Sequence, residues 1–428
     1  MAPSSFQLSR RSVVVAGCAG LVGLAEGARA QTGPRREPLD IGGAANGGLK
    51  FDPIAAPTEA PQKPKPAPAP PERRIGFAIA GLGRLSGEEV LPAFSECRRA
   101  RITALVSGSP EKAAAVGASL GLAASSLYDY ESFDRIADDP AVQIVYVITP
   151  NALHKDLVIR AARAKKHVLC EKPMATSSAD AREMIEACDK AGVKLMIAYR
   201  SQYEKHHRKL LEHVRSGRLG ALKLIEAVNA QNQGDPRQWR LRKALSGGGS
   251  LPDIGLYCLN EARFLTGEEP VEVSARIHST PGDPRFAEVE ESVAFTLRFP
   301  SGVLANCSCS YGAHKSQHLL VNGETGWARM DKAFAYRGQA LHIGALQGGE
   351  ETQSTLAIEA TNQFADEIDH MAQCVAENRM PRTPGQEGLQ DHIVMEAIYE
   401  AARTNRVIEL PPAPRLDSTR GPKLEDAG

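Results

Sequence analysis

From residue 75 onward the chain switches between two hydrophobic patterns. IGFAIAG (75–81), ITALVSG (102–108), QIVYVITP (143–150), HVLCEKP (167–173) and VKLMIAY (193–199) are short, nearly continuous apolar runs. Such runs predict strands covered on both faces. Helix-compatible stretches separate them: one reaching to about Cys97, then PEKAAAVGASLG, ALHKDLVIRAARAKK and the serine-capped SSADAREMIEACDKAG. Strands and helices taking turns at this spacing predict a doubly wound parallel sheet. Near Gly220 the period changes. VEVSARIH, SVAFTLRF, VLANCSCSY and HLLVNG alternate every second residue with no helix between them, the pattern of an antiparallel sheet. In SVAFTLRF, Val293, Phe295, Leu297 and Phe299 share one face, while Ser292, Ala294 and Thr296 form a small-residue face for solvent or a partner subunit. Two late helices, about 362–377 and 390–404, are expected to return to the first domain.

Composition adds limits. The chain has 428 residues, enough for two cores, with 51 basic and 51 acidic side chains. That balance gives no electrostatic footprint for nucleic acid. The N-terminal apolar run, residues 13–24, is too short to span a bilayer, so no stable membrane association is expected. It follows Arg10-Arg11 and precedes Ala28-Arg29-Ala30, which reads as a signal peptide over 1–30. The paired arginines after Ser9 point to the twin-arginine export machinery and a periplasmic destination. An ordinary secretory signal and a lipobox ending at Cys18 are the weaker alternatives. Residues 31–73 form a Pro-rich arm, expected to be extended. Residues 74–199 are assigned to the first domain, 200–410 to the second and 411–428 to a tail. Without the signal, seven cysteines remain and no C-x-x-C occurs, so buried free thiols are expected rather than a disulfide framework.

Candidate chemistry sits at the strand ends. Gly81-Leu82-Gly83-Arg84-Leu85-Ser86 follows the first strand and approximates the dinucleotide fingerprint, in which glycines let a pyrophosphate approach a helix start. Ser86 replaces the third small position. The first domain is therefore read as Rossmann-type. The second strand ends in Ser107-Gly108-Ser109 with Lys112 beyond and no acid at its tip, which favours NADP over NAD. Cys170-Glu171-Lys172-Pro173 closes a later strand. In GGGSLPDIGLYCLN (247–260), Asp253 and Tyr257 are four apart on one helical face, with Asn260 three further on. A lysine beside a phenol makes a proton-handling group suited to a sugar hydroxyl. His154, His206 and His207 show no metal-site spacing, and no metal is expected.

The fingerprint, PNALH (150–154), HVLCEKP and GGGSLPDIGLYCLN together resemble the glucose-fructose oxidoreductase, inositol dehydrogenase and rhizopine-catabolism (Gfo/Idh/MocA) superfamily. LVSGSPEKA, YDYESFD and QWRLRKALSGGG carry the resemblance toward its glucose-fructose branch. It covers nearly all of the chain after residue 74. It implies an α/β protein: a Rossmann-type doubly wound parallel sheet, then an α+β domain with a large, mostly antiparallel open sheet. It implies that Gly81, Gly83, Arg84, Leu85, Ser107 and Lys112 hold NADP. Pro150, Asn151, His154, Glu171, Lys172, Arg200, Trp239 and Arg240 are implied to complete the cofactor side. Lys172, Asp253 and Tyr257 are implied to be catalytic, with Tyr257 as acid/base, and these three with Asn260 to bind substrate. The expected partners are small-molecule sugars and further copies of the chain, as a homodimer or homotetramer.

Export of a nicotinamide enzyme raises the question of supply. A cofactor folded in before export and recycled on the enzyme answers it: one sugar is oxidised to a lactone, a second is reduced to an alditol. The alternatives are an exported NAD-dependent glycosidase of the same superfamily, a dehydrogenase using free NADP, and a non-catalytic sensor. Ser107 and Tyr257 speak against the first, the export signal against the second, and Lys172 with Tyr257 against the third.

Overall fold

In the computed structural model, residues 42–45, 48–51 and 69–413 are described. The signal segment, most of the arm and the end of the tail lie outside them. Within the arm, Gly42–Ala45 and Gly48–Phe51 pair as an antiparallel hairpin. Most of the Pro-rich stretch 56–72, expected to be extended, lies outside the described residues.

The first sheet contains β1 (Ile75–Ala80), β2 (Ala100–Val106), β3 (Leu127–Tyr128), β4 (Ile144–Val147), β5 (His167–Glu171) and β6 (Leu195–Ala198). Its order is β3-β2-β1-β4-β5-β6, with every pairing parallel. Helices α1 (Pro110–Ser119), α2 (His154–Arg163) and α3 (Ser178–Ala191) make the crossovers. Their starts are chemically marked: Ser109 caps α1 through Lys112 N–H, and Ser177 caps α3 through Asp180 N–H. The stretch after β1 is shorter than expected, a wide turn of helix at Ser86–Val90 followed by Leu91–Ala93.

The second domain adds α4 (Lys205–Arg215), β7 (Leu222–Ala230), α5 (Leu256–Thr266), β8 (Glu272–His278), β9 (Ser292–Arg298), β10 (Leu304–Ser310) and β11 (Ser316–Gly323). It continues with β12 (Gly326–Asp331), β13 (Ala340–Gln347), β14 (Glu350–Thr355), α6 (Gln363–Ala376), α7 (Gly385–Thr404) and β15 (Ile408–Glu409). The nine strands run β14-β13-β12-β11-β7-β10-β9-β8-β15. All pairs are antiparallel except β7 with β10. On β9 the predicted apolar face, Val293, Phe295 and Leu297, is buried, and Ala294 on the other face is exposed. The late helices do return: Phe364, Ile368 and Met371 of α6 pack with Phe77 and Ile79 of β1. Gly388 of α7 closes on Met174 and Ile197, where a Cβ would lie 2.8 Å from the Met174 sulfur. The seven cysteines from Cys97 to Cys374 are buried and unpaired. Among the described residues, no helix is long and apolar enough to cross a membrane.

Candidate functional site

The C-terminal ends of β1, β2, β4 and β5 face residues of the second domain across a cavity of about 750 Å³. Its first-domain wall is built by the glycine turn. Gly81 has φ +106°, and a Cβ there would lie 2.2 Å from the Ile148 carbonyl oxygen, so only glycine fits. Gly83 meets no protein atom within 4 Å of an added Cβ, although it lines the cavity. Protein packing therefore does not require a glycine there, and the space beside it opens into the cavity. Ser86 is buried, and its hydroxyl donates to the Gly81 carbonyl, closing the turn on itself. Arg84 and Leu85 line the same wall, with Arg84 exposed and paired to Glu88 at 2.9 Å.

Beyond β2, Ser107 is buried, and its oxygen accepts from Ser109 N–H at 3.1 Å. Lys112 stands exposed at the same cavity edge. Neither Asp nor Glu occupies this strand tip. Pro150 and Asn151 line the floor, with Asn151 Nδ2 donating to the Ser246 carbonyl across the domains at 2.8 Å. The buried Thr149 hydroxyl, also on this wall, has no partner among the described residues. A glycine cradle open on one side, a buried serine at the ribose position and an orphaned hydroxyl fit a nicotinamide dinucleotide.

The opposite end concentrates charge. Lys172 Nζ donates to the Asp253 carbonyl at 2.8 Å and to Oδ1 at 3.0 Å, and lies 4.7 Å from the Tyr257 ring centre. Asp253 Oδ2 accepts from Arg240 Nε at 3.1 Å and from the Tyr311 hydroxyl at 2.6 Å. Burial alone would raise the Asp253 carboxyl; Lys172, Arg240 and Tyr311 outweigh it and hold it well below the usual range. Burial also works against charge on Lys172, yet Tyr257, Asp253 and Glu171 keep its value above the usual one. The two form a buried ion pair, with Asp253 holding both Lys172 and Arg240 in place. Glu171 is buried below Lys172, accepts from the Tyr146 hydroxyl at 2.8 Å, and is shifted upward by burial.

The hydrogen-bond partner of Tyr257 is Arg200, not Lys172. Arg200 Nε donates to the Tyr257 oxygen at 3.1 Å, and its guanidinium lies 4.6 Å from the ring centre. Lys172 meets the ring face and spends its contacts on Asp253. The remaining guanidinium nitrogens donate to the Phe334 carbonyl at 2.7 Å, the Ala335 carbonyl at 3.4 Å and Gln363 Oε1 at 2.5 Å. Arg200 thus lines the cavity as the support of Tyr257. Trp239 lines the wall with Arg240 stacked 4.6 Å from its ring centre.

Two expected residues lie elsewhere. His154 is fully buried behind the floor, its ring nitrogens 2.9 Å from the Thr149 carbonyl and 3.0 Å from the Pro173 carbonyl. It braces two strand ends and does not line the cavity, and burial holds its pKa below the ordinary value. Asn260 points away from the cavity into a buried network, donating to Glu387 and Asp391 at 3.0 Å each and accepting from Gln202 at 2.9 Å. It lies about one turn beyond Tyr257, where the helix meets Glu387 and Asp391 of α7. Conversely, Tyr336, Asn229 and Gln317 line the cavity, and Tyr311 holds Asp253 through its hydroxyl, none of them marked by the sequence pattern. Asn229 and Tyr311 stand at or just past the ends of β7 and β10, where period-two patterning marks strand ends but not what they face.

Family models match both halves: "Oxidoreductase family, NAD-binding Rossmann fold" over residues 75–199 and "GFO/IDH/MocA C-terminal domain" over 207–329. The chain is similar to D-xylose 1-dehydrogenase [NADP(+)] of Haloarcula marismortui, 35% identical over 342 residues, covering 78% of this chain and 93% of that one. It is also similar to 1,5-anhydro-D-fructose reductase of Ensifer adhaerens, 28% identical over 342 residues, 78% of this chain and 98% of that one. Among solved structures, aldose-aldose oxidoreductase from Caulobacter crescentus complexed with glycerol is 48% identical, with a TM-score of 0.76, covering 79% of this chain and 100% of that one. Matched in both domains and along nearly the whole length of a curated relative, the chain belongs to the GFO/IDH/MocA oxidoreductase family.

Proposed function

We propose that the protein is an exported sugar oxidoreductase that retains NADP, oxidises a cyclic aldose at C1 to a lactone and reduces a second sugar to an alditol in the same site. The observation that carries this reading is the Lys172–Asp253–Tyr257–Arg200 constellation facing the glycine cradle across one cavity. NADP rather than NAD is supported by Ser107 and Lys112 at an acid-free strand tip and by the cofactor in the name of the xylose dehydrogenase relative. An aldose as second sugar is supported by the name of the Caulobacter structure, and fructose is the other acceptor to test.

When bound, the nicotinamide supplies the hydride acceptor and donor. The chain supplies orientation and proton transfer. Tyr257 takes the proton of the C1 hydroxyl in oxidation and returns one to the carbonyl oxygen of the second sugar in reduction. Arg200, donating to the Tyr257 oxygen, stabilises negative charge there in the first half and readies the proton's return in the second. Lys172 has three N–H bonds, two of them given to Asp253, which leaves one donor for a sugar oxygen. Asp253 fixes Lys172 and Arg240 at set positions, which converts binding into orientation. The exposed small-residue face of the nine-stranded sheet supports assembly as a homodimer or homotetramer. The twin arginines support periplasmic export of the folded, loaded protein.

The test uses protein purified without added nucleotide. A reduced-nicotinamide absorbance that rises with glucose and falls on adding fructose or a second aldose supports the reading. No rise until free NADP is supplied contradicts retention.

A further inference from the structure

His207, at the start of α4, is fully buried and has no part in the chemistry above. Its Nδ1 lies 2.9 Å from Glu261 Oε2, and its Nε2 donates to the Ala333 carbonyl at 2.8 Å. Glu261 is on α5, one turn beyond Tyr257. Ala333 opens the segment whose next two carbonyls, of Phe334 and Ala335, hold Arg200. The His207 ring also faces the Phe334 ring at 6.2 Å, and Phe334 faces Tyr257 at 5.9 Å. A closed circuit results: Tyr257, Glu261 on the same helix, His207, the 333–335 segment, Arg200, and Tyr257 again.

We propose that His207 is a positioning residue for the proton-transfer site: by tying Glu261 to the Ala333 carbonyl it fixes the two carbonyls that hold Arg200 against the Tyr257 hydroxyl. Nε2 is the donor to the Ala333 carbonyl, and Nδ1 faces Glu261 at ion-pair distance without an aligned hydrogen bond. The charged groups facing it are Glu261 from α5 and Glu204 from the turn before α4; the 333–335 segment presents only carbonyls and the Phe334 ring. Burial opposes the charge, but these carboxylates raise His207 to about 9. The ion pair with Glu261 is therefore present below that pH and is lost as pH rises through it, while Nε2–H still serves the Ala333 carbonyl. The inference rests on Tyr257 being the proton-transfer group.

The test uses the full chain loaded with NADP. His207→Ala is expected to lower kcat by about 10²-fold with little change in sugar KM, since a shifted Arg200 misplaces the Tyr257 hydroxyl without removing a sugar contact. His207→Gln, which keeps one N–H for the Ala333 carbonyl, is expected to recover most of that loss. With no sugar present, amide hydrogen exchange across residues 333–337 is expected to quicken in His207→Ala while β1 and β4 stay protected. That readout stands even if the sugar reaction proves to be another. Should His207→Ala fail to fold, the near-isosteric Glu261→Gln is expected to give the same faster exchange. Unchanged exchange at 333–337 in the variant that folds, or a drop in kcat matched by an equal rise in KM, overturns the proposal.

Discussion

At one end of the cavity Asp253 draws Lys172, Arg240 and Tyr311 together, with Lys172 11% and Asp253 16% exposed. At the other end Lys112 and Arg84 stand in solvent, and the buried group is the neutral Ser107. The reactive end is a network in which every charge depends on its neighbours; the ribose end is a set of separable contacts. Losing a member of a buried ion network leaves an uncompensated charge, whereas losing an exposed cation removes only a screened attraction. Rigidity is thus placed at the Lys172–Asp253 end of the cavity, not at the Ser107–Lys112 end.

Substitutions sharpen this contrast. The largest effect is expected from Tyr257→Phe, a kcat loss of about 10³-fold with the folded protein and its nucleotide content retained, measured by steady-state kinetics and absorbance. Asp253→Asn comes next: freed of its carboxylate, the Lys172–Arg240 pair should destabilise the fold by about 3 kcal/mol in a denaturant titration. The carboxyl of Asp253 is held below its unfolded value, so its stabilisation is present above the ordinary carboxylate range and declines as pH falls below it. In Asp253→Asn that acid-side decline should be smaller. At the ribose end, Ser107→Asp should weaken NADP by about tenfold and favour NAD, since a carboxylate repels a 2′-phosphate. Lys112→Ala should cost about threefold in NADP affinity, and the difference should shrink in high salt. If Lys112→Ala instead matched Asp253→Asn in lost stability, the two ends would not differ in the way described.

Much of the fold was legible because burial on both faces writes continuous apolar runs, as in β1 and β4, and burial on one face writes alternation, as in β9. The strand β7 escaped notice because Lys223 and Glu226 interrupt its apolar positions, while Ile225 and Ala227 still reach the core. Its parallel pairing with β10 joins residues about eighty apart, and local pattern carries no such information. At the site, Gly81, Lys172, Asp253 and Tyr257 were legible because their spacing sits at strand ends and a helix start. Arg200, expected on the cofactor side, lines the cavity, but its bond to Tyr257, 57 residues away, is reached only through the fold. His154 and Asn260 were misplaced for a related reason: a polar side chain next to a motif can point into the protein as readily as into the cavity, and both are fully engaged inside.

The central claim is that one retained nucleotide carries hydrogen between two sugars. Its most direct test supplies an aldose deuterated at C1, an acceptor sugar and an excess of unlabelled free NADP. The account predicts that deuterium reaches the alditol undiluted and that the free pool stays oxidised and unlabelled. Deuterium accumulating in free NADPH, with unlabelled or no alditol, would contradict it.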